Sequence, residues 1–157
     1  MQPFPGACQL LLVDDDPSMV RLLAKILERS FGKRIQLYSL TDARAARDWI
    51  KENLLDILVT DLEMPGVNGL ELLQCAKRCN PCAQVLFITG NSTLEALTDA
   101  LEFGATDYLL KPLDQAEFIS LIEAAEKRLW RWREALAGTI AARRKASAAM
   151  AEKLLVE

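Results

Sequence analysis

Asp14, Asp15, Asp61, Thr89 and Lys111 carry groups that can act together on a phosphoryl group. Each stands where a short apolar run stops. Gln9 to Val13 gives way to Asp14-Asp15-Asp16. Leu54 to Val59, broken by Asp56, leads to Asp61. Val85 to Thr89 stops at Gly90, and Thr106 to Leu110 stops at Lys111-Pro112. Such runs read as buried strands of a parallel sheet, and in open α/β sheets ligands bind at the carboxyl ends of the strands. Carboxylates gathered at one place repel one another unless a cation holds them. With oxygen ligands alone and a partly open loop, Mg²⁺ suits the set. A carboxylate nucleophile can accept a phosphoryl group to give an aspartyl-phosphate. The charge on its oxygens then needs a metal cation, an ammonium and a hydroxyl, which Mg²⁺, Lys111 and Thr89 supply. Taken alone, Asp61 leaves three roles open: nucleophile, metal ligand or helix cap.

The elements that must carry these groups follow from the periodicity. After the first run, Asp16 and Pro17 suit a helix start, and Met19, Val20, Leu22, Leu23, Ile26 and Leu27 recur at helical spacing up to Gly32. A second strand around Ile35 and Leu37 precedes a helix opened by Thr41-Asp42 and carrying Ala43, Ala46, Trp49 and Ile50. The Asp61 loop contains Pro65, Gly66 and Gly69, which favour a turn, and its helix is expected from about Gly69 to Cys79. Ser92 is expected to cap a helix running through Phe103, and a last helix starts near Asp114. Five strands alternating with five helices predict a doubly wound α/β sandwich on a parallel sheet over residues 8–127.

Beyond residue 127 the helical pattern continues. Phe118, Ile122, Ala125, Leu129, Trp132 and Leu136 step by four and three, a heptad-like seam. Gly138 is expected to interrupt it, and Ile140, Ser147, Met150 and Leu154 resume it with shifted phase. Residues 128–157 are locally basic and rich in alanine, and read as a C-terminal helical extension or coiled-coil linker.

Composition narrows the rest. A hydrophobic content of 51% supports a full core, and a net charge of −3 gives no reason to expect nucleic-acid binding. No apolar run is long enough to cross a membrane, and residues 1–7, a short leader, lack the charged start and apolar middle of a signal peptide. A cytoplasmic protein is expected, with Cys8, Cys75, Cys79 and Cys82 reduced. The last three have the C-x3-C-x2-C spacing of an iron–sulfur site, but the sequence contains no histidine to complete a metal set, and a structural role fits them better.

Leu12-Val13-Asp14-Asp15-Asp16-Pro17, Thr60-Asp61-Leu62-Glu63-Met64-Pro65-Gly66 with Asn68-Gly69, Ile88-Thr89-Gly90, and Gly104-Ala105-Thr106-Asp107-Tyr108-Leu109-Leu110-Lys111-Pro112 occur in order at the strand ends. Through them, residues 8–127 closely resemble the receiver domain of two-component response regulators. The resemblance implies a flavodoxin-like (βα)5 fold with Asp61 as phosphoacceptor. Mg²⁺ would be held by Asp14, Asp15, Asp61 and the backbone carbonyl of Glu63. Thr89 would contact the phosphoryl group, Lys111 would pair with it, and Tyr108 would be the aromatic switch that follows Thr89. Lys111-Pro112 is expected to be cis. The implied phosphodonor is a sensor histidine kinase or a histidine phosphotransfer protein, and the chain would catalyse only its own phosphorylation and dephosphorylation. A homodimer is implied through the fourth helix, fifth strand and fifth helix together with the C-terminal helix. The Glu63 side chain, two residues past the acceptor, faces the approach path and is expected to tune phosphoryl lifetime.

Each group also has a plain structural role open to it: Asp14 to Asp16 as caps, Thr89 as strand-end polarity, Tyr108 as packing, Lys111 as a solvated cation. Their coincidence favours the site. The enzyme rival is a haloacid-dehalogenase-like phosphatase, whose D-x-D-x-[TS] motif Asp14-Asp15-Asp16-Pro17-Ser18 imitates. That chemistry needs a later acidic pair and a cap insertion, and here Asp114 alone follows Lys111 closely. Within signalling, a stand-alone phosphorelay adaptor and the first part of a longer regulator are both compatible with the sequence. The Arg143-Arg144-Lys145 cluster reads as a solvated face.

Overall fold

The computed structural model describes residues 6–156, so residues 1–5 of the expected leader lie outside the described residues. The strands are β1 (Cys8–Val13), β2 (Ile35–Leu40), β3 (Ile57–Thr60), β4 (Gln84–Thr89) and β5 (Asp107–Leu110). The helices are α1 (Pro17–Phe31), α2 (Ala43–Glu52), α3 (Gly69–Cys79), α4 (Leu94–Glu102) and α5 (Gln115–Val156), with a 3-10 turn at Gly32–Arg34. All strand pairs are parallel, in the order β2-β1-β3-β4-β5. This is the doubly wound α/β fold that the sequence predicts.

The apolar runs are continuous because the central strands are covered on both faces. Leu10 and Leu12 of β1, Val59 of β3 and Leu86 and Ile88 of β4 join one cluster with α1 and α5. Their neighbours Leu11, Val13, Leu58, Val85 and Phe87 point the other way, into a cluster with α2, α3 and α4. The strand order reverses between β1 and β3, which opens a crevice at their carboxyl ends. Val13 pairs with Thr60, so Asp14 and Asp61 leave the sheet side by side.

Two expectations are corrected. Thr93, not Ser92, caps α4, because its hydroxyl accepts from the Ala96 amide, and the helix ends at Glu102. The extended C-terminal helix is as expected: α5 runs unbroken through Gly138, where the seam changes phase. A single glycine costs about 1 kcal/mol against alanine in a helix, and the strong helix formers around it absorb that cost. Finally, the expected seam is two surfaces. Phe118, Ile122, Ala125 and Leu129 are buried against the sheet, whereas Trp132 and Leu136 are about half exposed. The packed part of α5 also runs past residue 127. Trp130 is buried and Arg133 pairs with the buried Asp56 at the start of β3.

Candidate functional site

The site is assembled by backbone hydrogen bonds that continue the sheet past its last residues. The Asp14 amide donates to the Leu40 carbonyl, the Asp61 amide to Val13, and the Lys111 amide to Thr89. These links bring groups from β1, β3, β4 and β5 to one crevice. The Lys111-Pro112 peptide is cis. Gly69 closes the Asp61 loop: its amide donates to the Leu62 carbonyl at 2.8 Å, and a Cβ there would lie 2.3 Å from the Asp61 carbonyl oxygen. No other residue fits that approach.

Asp14 is 2% exposed and Asp61 9%, while Asp15 is exposed. One carboxylate oxygen from each lies within 4.8 Å of the others, and among the described residues this is the one such group of metal-ligating side chains. Lys111 Nζ bridges the pair, 3.0 Å from Asp14 Oδ2 and 3.0 Å from Asp61 Oδ2. Asp61 Oδ1 accepts from the Leu62 amide at 2.6 Å and the Glu63 amide at 3.4 Å. The carboxylate is thus oriented by backbone on one oxygen and offered to the crevice on the other. Burial pushes the Asp14 carboxyl above its usual range, against the Asp16 amide and Lys111, which favour its charge. Burial alone would lower the Lys111 ammonium, but its hydrogen bonds and charge contacts with Asp14 and Asp61 outweigh that and raise it.

Thr89 is buried, and its hydroxyl donates to the Asn91 carbonyl at 3.2 Å and lies 3.3 Å from the Asn91 amide. Tyr108 is half-buried, its ring centroid 5.9 Å from that of Phe87, and its hydroxyl is buried with no hydrogen-bond partner among the described residues. The Glu63 side chain is exposed and accepts from the Asn91 carboxamide at 3.0 Å.

The groups a phosphatase motif would require are engaged elsewhere. Asp16 caps α1 through the Ser18 amide, and Asp114 caps α5 through the Glu117 amide. All four cysteines are free thiols; Cys8 and Cys75 are buried. Sequence reasoning missed Asn91, whose contacts bridge two loops. It also missed the charged network at the opposite pole, where Arg34 holds Glu126 at 2.6 Å and Arg133 holds Asp56. A polar residue interrupting an apolar strand run, as Asp56 does, is the signal that could have found that network.

Residues 10–123 match the family described as the response regulator receiver domain. The transcriptional regulatory protein ZraR of Salmonella typhimurium strain LT2 is 38% identical over 130 residues, which cover 82% of this chain and 28% of that protein. The chain therefore spans little more than a quarter of the length of such curated relatives. Among solved structures, a receiver domain protein from Methanospirillum hungatei JF-1 superposes with a TM-score of 0.70 at 25% identity, covering 78% of this chain and 96% of that one. The beryllofluoride-activated NtrC4 receiver domain dimer gives 0.69 at 28% identity, with 77% and 98% covered.

Proposed function

The chain belongs to the response regulator receiver domain family, a phosphorylation-activated signalling domain of two-component systems, and we propose that Asp61 is the residue that takes up the phosphoryl group. The observation that carries this reading is Lys111 Nζ, 3.0 Å from both Asp14 Oδ2 and Asp61 Oδ2 at the point where the strand order reverses.

Asp61 Oδ2 attacks phosphorus while the bond from phosphorus to the donor breaks, its electron pair leaving with the donor. The leaving group is the imidazole nitrogen of a phosphohistidine on a sensor histidine kinase or a histidine phosphotransfer protein, or the acetate of acetyl phosphate. Lys111, already at Oδ2, pairs with the transferred oxygens, and the Thr89 hydroxyl turns from Asn91 toward them. Three hard oxygen donors against one contacting ammonium fit a divalent cation. Asp14, Asp15, Asp61 and the Glu63 carbonyl would hold Mg²⁺, which when bound neutralises phosphoryl charge. No separate substrate is turned over.

The movement of Thr89 changes the room available to Tyr108, and with it the face formed by α4, β5 and α5, as a population shift. We assign the output to homodimerisation through this face and the free part of α5, in a cytoplasmic protein that does not itself bind nucleic acid. The domain division is a receiver from residue 8 whose last helix continues into the extension at 128–157. The greater length of the regulators it resembles supports a receiver coupled to an output domain over a stand-alone adaptor.

The test is intact mass after incubation with acetyl phosphate and Mg²⁺, for wild type and Asp61→Asn together. One labile phosphoryl group on wild type alone is expected. Labelling that survives in Asp61→Asn moves the nucleophile elsewhere, with Asp14 the next candidate. An unlabelled wild type leaves a receiver fold without acceptor chemistry.

A further inference from the structure

Thr89 is not free to turn toward Asp61. Its hydroxyl is tied to the Asn91 backbone on both sides, donating to the carbonyl at 3.2 Å and lying 3.3 Å from the amide. Asn91 is in turn tied across the mouth of the crevice, where its side-chain Nδ2 donates to Glu63 Oε2 at 3.0 Å. Glu63 belongs to the Asp61 loop, and its own amide points back at Asp61 Oδ1. A chain of contacts thus runs from the switch hydroxyl to a carboxylate two residues from the acceptor, joining the loop after β4 to the loop after β3.

We propose that the Asn91–Glu63 hydrogen bond is a latch that holds Thr89 in its unphosphorylated position, released by charge repulsion when a phosphoryl group arrives on Asp61. Acyl phosphorylation replaces the single charge of the Asp61 carboxylate with close to two on the phosphoryl oxygens, a net gain of about one negative charge. That gain falls beside a carboxylate that has no cation in contact among the described residues. Glu63 is exposed and can swing outward at little cost, which leaves the Asn91 side chain without its acceptor. The loop after β4 then loses its tether to the loop after β3, and the Thr89 hydroxyl can exchange the Asn91 backbone for phosphoryl oxygens. Tyr108 is poised to respond to so small a change. Its buried hydroxyl has no hydrogen-bond partner among the described residues, so its present position is not fully satisfied by them. Asn91 and Glu63 act here as positioning residues through Thr89, and the latch rests on the reading of Thr89 and Tyr108 as the switch.

The chain has two tyrosines, so fluorotyrosine labelling gives two ¹⁹F NMR signals, which Tyr108→Phe assigns. The basal Tyr108 signal is compared among wild type, Asn91→Ala, Glu63→Ala, Glu63→Gln and the double alanine variant. Wild type with beryllofluoride and Mg²⁺ marks the activated position. Each single alanine variant is expected to move the unphosphorylated signal toward that position, raising the ratio of the two forms about two- to fivefold, the reach of one exposed hydrogen bond. The double variant moves it no further than either single, and Glu63→Gln, which keeps an oxygen acceptor, moves it less than Glu63→Ala. Unmoved or additive single variants would overturn the latch while the switch reading stands. If beryllofluoride leaves the wild-type Tyr108 signal in place, the switch reading fails and takes the latch with it.

Discussion

Asp14 sits at 2% exposure with its charge opposed by burial and supported by the Asp16 amide and Lys111. The net effect raises its carboxyl above the ordinary value of 3.8, so the folded chain holds that proton more readily than the unfolded one. Its contribution to stability is then fully present below the ordinary value and is lost as pH rises through the raised one. Asp14→Asn, which keeps an oxygen acceptor for Asp16 and Lys111, is expected to stabilise the metal-free chain at pH 7. The rise in Tm should be about 2–4 °C, what roughly 1 kcal/mol produces at this size, and should disappear near pH 4 in calorimetry. A lower Tm at pH 7 would mean that the Lys111 pair outweighs the burial of charge. At this scale Asp14, Asp61, Thr89 and Lys111 were legible in the sequence, because each stands within two residues of the end of an apolar run that the fold places at the crevice. Asn91 was not, because a side chain that bridges two loops leaves no periodicity to read.

A stripe repeating every three or four residues says which face of a helix is apolar but not what covers it, and α5 is the case where that matters. Phe118, Ile122, Ala125 and Leu129 satisfy the same spacing as Trp132 and Leu136, yet the first set is buried in the core and the second is half exposed. Nor could the sequence show where the packed part ends. Arg133 reaches the buried Asp56, which also accepts from the Gln9 amide at 2.8 Å, and its guanidinium lies 4.9 Å from the Trp130 ring centroid. Removing one partner of a buried pair typically costs about 3–5 kcal/mol. Losing a buried leucine costs about 2–5 kcal/mol and a tryptophan about 3–5 kcal/mol. Against a total stability of roughly 5–15 kcal/mol, truncation after residue 127 is expected to leave a chain unfolded or nearly so at 37 °C. Truncation after residue 136 keeps Leu129, Trp130 and Arg133 and should hold its urea midpoint close to that of the full chain. Equal midpoints for the two truncations would place the boundary of the folded unit back at residue 127.

For the whole molecule, α5 makes the receiver and its extension one continuous object, and in the homodimer proposed above the exposed stripe of the extension would set how strongly two copies hold together. Trp132, Leu136 and Ile140 form a short apolar run on one side of the helix, and Met150 and Leu154 resume it. Between them Arg143 and Ser147 fall at seam spacing, and both are exposed. In a parallel pair Arg143 would face its counterpart, an unfavourable like-charge contact at the centre of the seam. The extension alone would therefore make a weak zipper, and the proposed dimer would need the additional face of α4, β5 and α5, where Leu101 and Leu110 are exposed. Sedimentation should find the unphosphorylated chain largely monomeric at micromolar concentration, with beryllofluoride and Mg²⁺ shifting it to dimer. Arg143→Leu removes the repulsion and joins the two apolar runs into one. It should lower the dimer dissociation constant about tenfold or more without beryllofluoride, the equivalent of roughly 1.4 kcal/mol. If Arg143→Leu leaves the basal equilibrium unchanged while beryllofluoride still drives dimerisation, the receiver face alone carries the association. The extension then acts as a spacer whose direction is set by the Arg133–Asp56 anchor.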